Sequence, residues 1–133
     1  MNQWPPDDDD VVDELPAPPR KEISPADREL LELAAHALGA VQFEEIEGEG
    51  CAILHFADGS KAHGWNPLQF GDDTFNLAVD LRIKPSWPFQ NEVHADDSYG
   101  DVHVEQRVDD GDVKAATHRA IVRAAAEIGK QRS

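Results

Sequence analysis

The sequence predicts an α+β fold: a mainly antiparallel sheet of four or five strands sandwiched by helices, in the order α-β-β-β-α-β-β-α. Amphipathic helical periods over 24–39 and 112–130 supply the outer layers. Between them lie two pairs of short alternating segments, closed by the turns EGEG (47–50) and DDSYGD (96–101), which read as antiparallel hairpins. A shorter helical period over 73–82 separates the pairs, and Pro85 and Pro88 return the chain to an extended state after it.

Residues 1–23 are expected to be a disordered, acidic, proline-rich tail. They hold aspartates at 7–10 and five prolines, and bury too little apolar surface to offset ordering entropy. Trp4, Val11 and Val12 interrupt that composition. The folded domain is placed at 24–133. Ser24 suits an N-cap, Pro25 the first helical position, and Asp27 the return bond of a capping box. Leu30, Leu31, Ala34, Ala37 and Leu38 form one apolar face, and Gly39 ends the helix in a left-handed conformation. Strands follow over 41–46 and 51–56. In the second, Ala52, Leu54 and Phe56 share one face and Cys51, Ile53 and His55 the other, as in a central strand covered on both sides. Asp58-Gly59 turns the chain into a strand over 60–64.

In the middle helix, Asp72 or Asp73 is expected to cap, with Phe75, Leu77, Ala78 and Leu81 inward. The second hairpin pairs 89–95 with 101–108 and buries Val93, Ala95, Val102 and Val104. Asp112 caps the last helix. Its inner face is Val113, Ala116, Ala120, Ile121, Ala124 and Ile128, with Lys114, Arg119, Arg123 and Lys130 outside.

A chain of 133 residues has room for one core. No apolar run reaches the ~20 residues of a membrane span, and no basic region precedes an apolar stretch at the N-terminus, so a cytoplasmic protein is expected. Its single cysteine, Cys51, suits a reducing compartment. The net charge of -15 is uneven: -5 over 1–24, -13 over 25–111 and +3 over 112–133. A body this acidic repels phosphate, which disfavours direct nucleic-acid binding.

The second hairpin holds the strongest cluster of candidate chemistry. If residue numbers across the pair sum to 197, His94 faces His103 and Glu92 faces Glu105, with cross-strand neighbours ~5 Å apart. Two imidazoles and two carboxylates can gather a divalent metal such as zinc. Nothing in the spacing is specific to a metal, and an exposed polar sheet face with alternating charge is the default reading of the same residues. Cys51 and His55 stand ~13 Å apart on a strand and cannot share a metal. A triad of Ser98, Asp101 and either His94 or His103 would sit on one hairpin tip without an oxyanion hole. Glu47 and Glu49 keep the Gly48 and Gly50 turn from cradling phosphate. Trp65, Asn66 and Pro67 read as a strand-to-helix anchor, with an exposed aromatic platform as the functional alternative.

The run Trp-Asn-Pro-Leu at 65–68, the acidic glycine-containing loop of Gly71, Asp72 and Asp73, and the Leu-Ala-Val of 77–79 resemble the phage ABA sandwich domain family. The closing helical run 119–129 resembles it too, and the likeness covers roughly 30–130. Gln69 and Phe70 depart from the more polar loop the family leads one to expect. The resemblance implies a helix-sheet-helix sandwich encoded by a phage or prophage; it implies no catalytic residues. The leading expectation is a non-enzymatic phage or prophage accessory protein that binds another protein, without a cofactor. Its candidate binding residues are Trp65, Asn66, Asp72 and Asp73, and self-association stays open. The alternatives are an acidic DNA mimic that inhibits a host nucleic-acid-binding protein, and a metal-dependent enzyme at His94, His103, Glu92 and Glu105.

Overall fold

Ser24 starts the first helix by its side chain: its Oγ accepts the Asp27 N–H at 3.2 Å. This is seen in a computed structural model that describes residues 22–132, so the tail expected over 1–23 lies almost wholly outside the described residues. Ile23 packs half-buried against the core, one residue ahead of the cap. Helix α1 (Pro25–Ala37) ends where Gly39 takes a φ of 95°. The Asp27 carboxylate turns away from the cap and accepts a bond from Arg119 at 3.0 Å, tying the first helix to the last.

Strands β1 (Ala40–Ile46), β2 (Cys51–Phe56) and β3 (Lys61–Trp65) form an antiparallel meander with β2 in the centre. Ala52 and Leu54 are fully buried, whereas Ile53 and His55 are only half-buried. The second face of β2 is therefore less covered than its composition implies. Helix α2 (Gly71–Leu81) leads into β4 (Ile83–Phe89), β5 (Glu92–Asp97) and β6 (His103–Arg107), a second antiparallel meander of order β4-β5-β6. Helix α3 (Val113–Gln131) closes the domain, with Asp112 Oδ1 accepting the Ala115 N–H at 3.0 Å.

The expected α+β class holds, with two corrections. Among the described residues there are two three-stranded sheets in place of one sheet of four or five strands, and the order is α-β-β-β-α-β-β-β-α. The additional strand is β4. Its Pro85 and Pro88 suggest an extended connector, but β4 lies at a sheet edge, where a missing N–H costs little.

Helix α3 packs on β4, β5 and β6, and α1 and α2 pack on α3. Ala116, Ala120, Ile121, Ala124 and Ile128 are buried as expected, while Val113 is exposed. Val122, Ala125, Ala126 and Gly129 are buried as well, because neighbours cover α3 on more than one side. Helices are expected to cover at least part of both sheet faces; α1 meets the first sheet along β1, and on the second sheet α3 covers one face, while the other is exposed at His103 and Glu105. Val93, Ala95, Val102 and Val104 are buried, and the alternate residues His103 and Glu105 are exposed. Among the described residues, no helix is long and apolar enough to cross a membrane.

Candidate functional site

The loop from β3 into α2 is built around Trp65 and Asn66, which are 5% and 2% exposed. Trp65 packs edge-on against Phe43, with ring centroids 6.5 Å apart. Asn66 Nδ2 donates to the Gly50 carbonyl at 2.7 Å, its Oδ1 accepts the Leu68 N–H at 2.9 Å, and its own N–H donates to Asp73 Oδ2 at 2.9 Å. The Thr74 hydroxyl bonds the Pro67 carbonyl and lies 3.1 Å from that of Phe70. Burial holds the Asp73 carboxyl above its ordinary pKa, against the lowering effect of the Asn66 N–H; nearby Asp72 adds to the rise. Of the four candidate binding residues, Trp65 and Asn66 are thus interior groups, Asp73 is a partner of the loop, and Asp72 alone is exposed.

That loop frees α2 from needing a side-chain cap. The helix starts at Gly71, two residues before the expected 73, and its N-cap is Phe70. Its buried face is Thr74, Leu77 and Leu81. Phe75, expected inside, is 68% exposed, and Val79, one turn on, is 53% exposed. Between α2 and the start of β4, over α3, lies a groove of about 830 Å³ lined in part by Phe75, Ala78, Val79, Ile83, Lys84 and His118. Arg82 lies on its wall in the left-handed conformation, φ 58°, and Ser98 Oγ donates to the Arg82 carbonyl at 2.9 Å. At the far end of β4, Trp87, Phe89 and Val113 are also exposed and share a smaller depression. Trp87 is held there by a 3.0 Å bond from its Nε1 to Thr117 Oγ1.

Sequence reasoning missed this surface because α2 carries apolar residues over more than half its circumference. The inner face is set by Thr74, whose hydroxyl is satisfied by backbone carbonyls. The signal that could have found it is the pair Phe75 and Val79, four apart and off the 74–77–81 stripe.

On the second hairpin the strands are displaced by two residues from the expected register. His94 opposes Glu105, Asp96 opposes His103 and Glu92 opposes Arg107. A shift of two preserves the faces, so the four candidate metal residues still share one side. His94 and His103 meet edge-on at 5.0 Å. The ligand atoms of His94, His103 and Glu105 lie within 4.8 Å of one another. Glu92 stands apart from that trio and contacts His94 Nε2 at 2.8 Å. His103 Nε2 lies 3.0 Å from Glu105 Oε2, and its Nδ1 bonds Asp96. Asp96 first, and Glu105 second, raise the His103 pKa above its ordinary 6.5 by favouring the imidazolium. Asp96 was hidden from sequence reading because it looks like part of the turn; β5 runs on to Asp97 and brings it onto the histidine face.

The remaining polar candidates are otherwise engaged. Ser98 serves the Arg82 carbonyl and the two imidazoles serve carboxylates, so the Ser-His-Asp triad is not assembled. His55 contacts Glu44 at 2.8 Å, and Cys51 is buried. The bases of α3 act within the fold: Arg119 binds Asp27, and Arg123 donates to the Glu105 carbonyl at 3.0 Å and to Gln106 Oε1 at 2.9 Å. Neither a protein-family model, nor a curated protein, nor a solved structure matches this chain.

Proposed function

We propose that this protein is a non-enzymatic module, of phage or prophage origin, that binds another protein through the groove between α2 and β4. The observation that carries the reading is the pair Phe75 and Val79, large apolar side chains left in water at the mouth of a ready-made groove. Aromatic anchors beside a concave apolar surface are the usual centre of a protein interface. Trp87, tied to Thr117 of the last helix, extends that apolar surface along the same edge strand, roughly 13 Å from Ile83 at the ordinary strand rise. Phe89, beyond a register shift, opposes Glu92 and packs edge-on against His94 on the other face. A partner segment with apolar side chains at two points, laid along β4, fits both ends. The phage setting rests on the resemblance of the 65–68 and 77–79 runs.

Affinity capture from a bacterial lysate tests the reading, with the wild-type chain beside the double variant Phe75→Ser, Val79→Ser. Both substituted positions are largely exposed, so the fold should survive, as circular dichroism will check. The expected result is a captured protein that the double variant loses and that Val41→Ser, on the exposed edge of β1, retains. Capture unchanged by the double variant, or no capture by the wild type, refutes the groove. Capture of a nucleic-acid-binding protein that added DNA displaces would favour the DNA-mimic reading, which rests on net charge alone.

A further inference from the structure

The outer face of the β5–β6 hairpin brings together two imidazoles and one carboxylate, and we infer that it binds a first-row divalent transition metal, with zinc the natural probe, through His94, His103 and Glu105. The ligand atoms of the three lie within 4.8 Å of one another, close enough for one ion at ordinary metal–nitrogen and metal–oxygen lengths of ~2.0–2.2 Å after small side-chain adjustments. His103 Nε2 and Glu105 Oε2, 3.0 Å apart, already flank one point. A second layer is in place behind them. Asp96 bonds the other nitrogen of His103, the arrangement that fixes the tautomer and orientation of a metal-bound imidazole. Glu92 contacts Nε2 of His94 at 2.8 Å. The strands hold these groups without help from a loop, because His94–Glu105 and Asp96–His103 are directly opposed residues of one ladder. Paired imidazoles select zinc, copper, nickel or iron over magnesium and calcium, which prefer all-oxygen sites. Three protein ligands on a solvent-facing sheet leave further coordination positions to water. Binding requires that each ligating ring nitrogen carry no proton, so affinity falls as pH is lowered.

The site is independent of the groove, and its test makes no use of a protein partner. Titrate the metal-stripped full chain with zinc chloride by calorimetry, and follow the histidine ring nitrogens by NMR. The expected result is one zinc per chain, with ring shifts confined to His94 and His103. His94→Ala and His103→Ala should each weaken binding at least tenfold, and Asp96→Asn about tenfold through the second layer. His63→Ala should leave binding unchanged. Excess magnesium should not compete. Far-ultraviolet circular dichroism of the metal-free variants checks the fold; if His94→Ala unfolds, His94→Gln replaces it. Absence of zinc binding overturns the inference. So does binding that survives loss of either histidine, or that moves the rings of other histidines instead.

Discussion

Replacing Gly129 by alanine sets two physical effects against each other, and the structure decides between them. Gly129 lies near the end of α3, where glycine costs roughly 1 kcal/mol relative to alanine in a helix interior. Propensity alone therefore predicts that Gly129→Ala stabilises. A Cβ at this position would stand 2.0 Å from the Leu33 carbonyl oxygen and 2.9 Å from its carbon. Ordinary contact is ~3.5 Å, so α1 and α3 would have to part by about 1.5 Å. The obstacle is backbone, not the end of a flexible side chain, and it sits in a buried helix crossing. Overpacking of this kind costs roughly 1–3 kcal/mol, and a rigid obstacle puts it at or beyond the upper end. Net of the propensity gain, Gly129→Ala should destabilise by about 2 kcal/mol, or roughly 8 °C in Tm for a domain of this size. Urea unfolding monitored by circular dichroism measures it. A variant as stable as the wild type, or more so, would refute the close crossing.

Trp65→Ala should cost on the order of 3 kcal/mol through lost packing against Phe43 and the core, because the ring is 5% exposed; a near-neutral urea midpoint would mean that Trp65 is not an anchor. Asp73 carries a pH signature. Its folded pKa is raised above the ordinary 3.8, so it favours folding most at low pH, and that contribution is lost as pH rises through the raised value. Asp73→Asn keeps an acceptor for the Asn66 N–H and removes the charge. The variant should therefore gain stability relative to the wild type between pH 3 and pH 7. Urea midpoints at the two pH values check this, and a relative loss would reverse the sign.

The parts of this fold that could be read from the sequence are those governed by neighbours in the chain. Ser24, Gly39, Asp112 and the EGEG turn act over a few residues, and each appears where local chemistry places it. The alternation of valines in the second hairpin also sorted correctly, because a covered face permits only one parity. What sequence could not supply depends on distant partners. The two-residue displacement of β5 against β6 leaves both faces intact, so the apolar pattern is blind to it. The separation into two sheets depends on which strand edges meet, and β4 concealed itself behind Pro85 and Pro88. At the candidate sites, the histidine cluster was visible by type and face, while Asp96 was not. The α2 groove was inverted, since nothing local says that Thr74 rather than Phe75 faces the core.

The pairing of α1 with α3 has a consequence for how the protein is made. Arg119 reaches Asp27 across 92 residues, and Arg132 reaches the Ala37 carbonyl across 95. At ribosomal rates of about 5–20 residues per second, the emerging first helix waits roughly 5–20 s for its cover. Throughout that interval Leu31 and Ala34 have no neighbour from α3 to shield them. The first sheet cannot substitute for it, because α1 meets that sheet mainly along β1. A message cut short before residue 113 should therefore yield a sticky fragment dependent on chaperones, not a smaller working unit. The negative charge of residues 25–111 opposes aggregation during that wait by keeping neighbouring nascent chains apart on a polysome.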